Sequence, residues 1–120
     1  MGNNMNQELK AKLFRGFADT SRFRVLEALR NGPRCVSELV KGTGLSQSNL
    51  SMHLACLREC GLVRSRRNGR FVHYELADQS VSRLLRAADH VLTRVARQIE
   101  ACPRYEDKER NHGKRMPAKR

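Results

Sequence analysis

Gly44–Val63, GLSQSNLSMHLACLRECGLV, decides the fold. Leu45-Ser46 opens a helix, because the serine side chain can accept a hydrogen bond from amides that the first turn leaves free. Leu50, Leu54 and Leu57 follow at helical spacing as one apolar stripe, and Gly61 closes the helix. Just upstream, a short helix over roughly residues 36–41 stops at Gly42-Thr43-Gly44. Two helices joined by a tight glycine-containing turn, the second starting Ser46-Gln47-Ser48-Asn49, form the pattern of a DNA-reading helix-turn-helix.

Downstream, residues 62–67 and 70–76 read as two strands around Asn68-Gly69, a strong hairpin signal. Arg64, Arg66, Arg67 and Arg70 crowd this hairpin. A charge run is usually only a solvated face, but a basic hairpin directly after a helix-turn-helix is suited to touching phosphates, as the wing of a winged helix does. Upstream, Leu9, Leu13, Phe14 and Phe17 predict one helix and Phe23, Val25, Leu26 and Leu29 a second, split near Asp19-Thr20-Ser21 and ended by Asn31-Gly32-Pro33.

The last long helix, about residues 80–100, carries Val81, Leu85, Ala88, Leu92, Val95 and Ile99 at alternating steps of four and three. That 3.5-residue period makes a helix-packing seam, and a DNA reader of this size needs a twofold partner to span two half-sites. The expected fold is therefore mainly α with a small β-hairpin, a winged helix-turn-helix, homodimeric through its terminal helices. Residues 1–102 form the DNA-binding and dimerisation domain, and residues 103–120, without periodicity, a basic disordered tail.

Composition agrees. The 120 residues are 39% hydrophobic, enough for one modest core, and carry a formal charge of +12, which draws the chain to a polyanion. No apolar run approaches the length of a membrane span, and the N-terminus lacks a signal peptide's apolar centre, so the expected location is the cytoplasm, with double-stranded DNA and no membrane as partner. In a reducing compartment Cys35, Cys56, Cys60 and Cys102 are not a disulfide framework but packing residues, metal ligands or redox thiols. The four histidines, His53, His73, His90 and His112, are scattered and assemble with no nucleophile and base, so an enzyme is not expected.

FADTSRFRVLEAL, GLSQSNLSMHLACLRECGLV and RNGRFVHYELAD, in that order, closely resemble the ArsR/SmtB family of metal-sensing repressors over roughly residues 10–100. The resemblance implies a homodimeric winged helix that holds operator DNA when metal-free and releases it when a metal binds. Matched through SQSNLS, the base-facing positions would be Gln47, Ser48, Ser51 and Met52, with His53 beside them. Glutamine can read adenine and serine is adaptable. For His53 a hydrogen bond within its own domain is the competing role. The wing would add Arg66, Arg67 and Arg70.

Members of the family hold their metal in different elements. Where some carry a thiol pair in a motif like ELCVCEL, this chain reads PRCVSELV: Cys35 is kept, and Ser37, a poor soft-metal ligand, replaces the second thiol. The terminal helix has Asp89 and His90 adjacent and no second histidine, which does not match the family's zinc pattern there. The match is instead to the cadmium and lead sensors of the family, which implies Cys56 and Cys60 on the recognition helix as ligands, with Cys102 as the third and possible donation from the opposite protomer.

The geometry can be read without the family. At about 100° per residue the leucines share one face, Ser48, Ser51 and Met52 another, and Cys56 and Cys60 a third. Thiols four residues apart can share one ion. Three thiolates favour Cd(II) or Pb(II) over zinc, with Zn(II) or As(III) as alternatives. The competing readings are that the cysteines are small hydrophobes near a core, that they are a redox switch, or that the chain is a basic nucleic-acid-binding protein with incidental thiols.

Overall fold

The computed structural model describes residues 3–105. Helices α1 (Asn3–Ala18) and α2 (Thr20–Ala28) meet at Asp19, whose side chain accepts the Arg22 N–H and so caps α2, at the split expected from Asp19-Thr20-Ser21. Strand β1 (Arg34–Cys35) leads into α3 (Val36–Thr43), and α4 follows over Gln47–Glu59. The wing is β2 (Val63–Asn68) and β3 (Phe71–Leu76), and α5 runs over Gln79–Ala101 before a 3-10 turn at Pro103–Tyr105. That turn occupies the start of the stretch expected to be a tail; residues 106–120 of it lie outside the described residues.

The sheet has three antiparallel strands in the order β1-β3-β2, one more than the hairpin expected. β1 is too short to show alternation and pairs only Arg34 with Tyr74 and Cys35 with His73. The hairpin itself closes on Gly69, whose φ of 67° is the left-handed backbone that glycine enters without cost. Its register sets Arg64 opposite Glu75 and Arg66 opposite His73.

The chain divides into two compact units, with the boundary between Arg83 and Leu84 inside α5. In the first, α2 packs on α3 and α4, and α4 on β2. Val25, Leu26, Leu29, Leu39, Leu50, Leu54, Leu57 and Val63 are buried there. Full burial of one such side chain contributes about 1.5–3 kcal/mol, so the leucine stripe is what fixes the rotation of α4 about its axis. The second unit contains the rest of α5, where Val91, Leu92 and Ile99 are exposed.

Candidate nucleic-acid interface and thiol site

The turn between α3 and α4 is held from inside. Buried Thr43 donates through Oγ1 to the Leu39 carbonyl at 2.7 Å and accepts the Leu45 N–H at 3.2 Å. Gly44, at φ 77°, then reverses the chain, and its N–H closes α3 on the Val40 carbonyl at 3.0 Å. Ser46 Oγ accepts the Asn49 N–H at 3.2 Å, capping α4 as its position suggests. With Leu50, Leu54 and Leu57 buried, Gln47, Ser48, Ser51 and Met52 are left exposed together, Met52 by 58%. His53 is half-buried on the flank.

The wing arginines divide into two sets. Glu75 Oε2 accepts the Arg64 Nε–H at 2.6 Å, and Glu75 Oε1 lies 3.5 Å from Arg66 Nη2. Arg67 and Arg70 are exposed and make no ion pair among the described residues. Of the three wing arginines expected at DNA, Arg66 is thus shared with an internal carboxylate, a partner that only the strand register brings near.

Cys56 lies in the last turn of α4 and Cys60 is its C-cap residue, just past Glu59. Cys56 is half-buried and Cys60 exposed. Cys60 opens on a cleft of about 380 Å³ between α1 and the end of α4, whose walls include Leu9, Leu13, Gly16 and Leu62. Cys56 Sγ accepts a hydrogen bond from Arg22 Nη1 of α2 at 3.0 Å. Arg22 is itself oriented by Asp19, whose Oδ1 accepts the Arg22 backbone N–H at 3.0 Å and whose Oδ2 lies 3.9 Å from Nη2. Residues 34 apart in sequence meet here, so no local pattern points to the contact.

Cys102 is half-buried just beyond α5, its N–H on the Ile99 carbonyl at 3.2 Å. Cys35 precedes α3 and serves its first turn: its N–H donates to Glu38 Oε1 at 3.0 Å, and its sulfur lies 3.3 Å from Ser37 Oγ. Among the described residues no three His, Cys, Asp or Glu side chains gather into a metal-holding group. Cys56 in the last turn of α4 and Cys60 at its C-cap are two soft donors four residues apart, which fit a thiophilic ion and leave it short of a further ligand.

A recognition helix with a free polar face, braced by a glycine turn and followed by a basic wing, defines a winged helix-turn-helix DNA-binding regulator. The profile of the "Bacterial regulatory protein, arsR family" matches residues 19–65. The regulator CmtR of Mycobacterium tuberculosis is 44% identical over 68% of this chain and 69% of its own length. The chain belongs to the ArsR/SmtB family, and is a transcription regulator rather than an enzyme. Among solved structures, that of Mycobacterium tuberculosis Rv0081 is similar with a TM-score of 0.72 and 40% identity, over 79% of this chain and 96% of that one. The homodimeric winged helix-turn-helix domain Mb0332 of Mycobacterium bovis gives 0.65 and 28%, over 80% and 90%. No described helix is long and apolar enough to cross a membrane.

Proposed function

We propose that this regulator is a metal-responsive repressor that holds operator DNA as a homodimer when metal-free and lets go on binding a soft thiophilic ion, Cd(II) or Pb(II), from the cytoplasm. The observation that carries it is the pair Cys56 and Cys60, four residues apart at the C-terminal end of the recognition helix, the first half-buried and the second exposed. Gln47, Ser48, Ser51 and Met52 read bases with His53 at their edge, while Arg67 and Arg70, and Arg66 in competition with Glu75, take phosphates. The third thiolate is the partner subunit's Cys102. Exposed Val91, Leu92 and Ile99 on α5 support a helix seam between subunits, and the likeness to homodimeric Mb0332 supports the same assembly.

Metal at Cys56 and Cys60 pulls on the helix that reads DNA, so it favours a dimer in which the two recognition helices no longer match successive major grooves. A coupling of about 1–3 kcal/mol weakens DNA binding about 5- to 150-fold. The test uses a duplex selected from random sequences by the reduced, metal-free protein, titrated with Cd(II), Pb(II), arsenite or dilute peroxide. Release by Cd(II) or Pb(II), lost when Cys56 or Cys60 is changed to Ser, is the expected result. Unchanged DNA affinity at saturating Cd(II) and Pb(II) overturns the reading; release by arsenite or peroxide alone moves the same thiols to As(III) or redox sensing.

A further inference from the structure

Arg22 is a costly residue to keep where it lies. Its side chain is only 25% exposed, and its Nε is buried with no hydrogen-bond partner among the described residues. A buried donor left unpaired has lost its water and gained nothing in return. The two ends of the guanidinium are nevertheless placed: Nη2 faces the Asp19 carboxylate at 3.9 Å and Nη1 donates to Cys56 Sγ at 3.0 Å. A rigid planar fork held at one end by an acid delivers a full positive charge to one chosen sulfur at the other.

We propose that Arg22 is the specificity-determining and positioning residue of the thiol site, selecting divalent thiophilic ions over arsenite. This rests on the three-thiolate reading above. A thiolate sulfur has lone pairs enough to bind a metal and still accept an N–H, so Arg22 stays on Cys56 as an outer partner of the ligand, the kind of group that orients a ligand and tunes its donor strength. The charge balance then separates the candidate ions. A Cd(II) or Pb(II) ion displaces one proton from each of three thiols and forms a complex with one net negative charge, which attracts the guanidinium because its Nη1 is 3.0 Å from the Cys56 sulfur while its Nη2 stands 3.9 Å from the Asp19 carboxylate. Arsenious acid exchanges its three hydroxyls for three thiols, the thiol protons leave as water, and the product is neutral. Beside that neutral product the guanidinium is answered by the Asp19 carboxylate alone and adds no charge attraction at the sulfur.

The experiment measures Cd(II) and arsenite affinities of the reduced full-length protein by competition, with ultraviolet thiolate-to-metal absorption as a second readout, for the unmodified chain, R22Q, R22K and C56S. R22Q is expected to lose 10- to 100-fold in Cd(II) affinity, to shift the absorption band, and to hold arsenite as tightly as before or more so. R22K, which keeps the charge and loses the fork, restores most of the Cd(II) preference. DNA affinity of metal-free R22Q, unchanged, shows that the fold survives. An unchanged ratio of Cd(II) to arsenite affinity in R22Q overturns the inference. Absence of the band from the unmodified chain, or its persistence in C56S, overturns instead the site on which the inference rests. If R22Q does not fold, the guanidinium nitrogen resonances of the unmodified protein decide: on Cd(II) addition those of Arg22 shift more than those of other arginines, and unmoved Arg22 resonances overturn the proposal.

Discussion

Glu75 on β3 stands directly across the ladder from Arg64 on β2, and its Oε2 accepts the Arg64 Nε–H at 2.6 Å. The same carboxylate lies 3.5 Å from Arg66. With its side chain only 13% exposed, Glu75 is the member of the cluster with least access to water, and it competes with phosphate for two of the four wing arginines. Changing Glu75 to Gln should therefore tighten DNA binding and steepen its salt dependence, by up to about 0.9 in the log–log slope for each arginine that gains a phosphate. R67A should lower that slope by about the same amount, and R64A should change it little. Fluorescence anisotropy of a labelled duplex across a salt series checks all three; an R64A effect as large as that of R67A contradicts the division of the wing.

The terminal helix yields a second prediction. Leu92 and Ile99 belong to the 3.5-residue seam, yet they are 50% and 41% exposed, and Val91 beside them is 54% exposed. Large apolar side chains clustered along one helix mark an association surface more readily than scattered ones do. Changing Leu92 to Glu places a charge in that surface without disturbing a buried residue. Sedimentation equilibrium should show a dimer converted to monomer, with DNA affinity down at least about tenfold because one half-site is lost. A dimeric L92E at micromolar concentration contradicts a seam at this position.

What the sequence shows and hides follows from the range of the interactions. The leucine stripe of α4, the Ser46 cap and the Asn68-Gly69 turn are local patterns, and each appears in the structure at its expected place. The short strand β1 is set by pairing with residues about forty positions away, and a two-residue strand has no period to read. Thr43, Glu75 and Arg22 escaped for related reasons. Thr43 looks like a turn residue until its hydroxyl is found buried between Leu39 and Leu45. Arg64 and Glu75 lie eleven residues apart and become a pair only through the register. The Arg22 contact with Cys56 needs α2 packed on α4, so the thiol pair was legible and the cation beside it was not.

Acid should loosen α3 from its first turn. Glu38 Oε1 accepts the Cys35 N–H at 3.0 Å, and that hydrogen bond, opposed by desolvation and helped by the Cys35 side chain and the field of Arg34, holds the Glu38 carboxyl below its ordinary value of 4.5. The unfolded chain thus takes up this proton at higher pH than the folded one. The contribution is fully present above the unfolded value and disappears as pH falls through the folded one. In E38Q the amide oxygen still accepts the Cys35 N–H but carries no charge, so the variant keeps the cap and loses its pH dependence. Urea midpoints measured from pH 7 downward should show the unmodified protein ahead of E38Q near neutrality and the gap closing below about pH 4.5. The gap is small, because Glu38 is exposed and its charge is screened by water. Parallel curves over the whole range would remove Glu38 from the acid response of the fold.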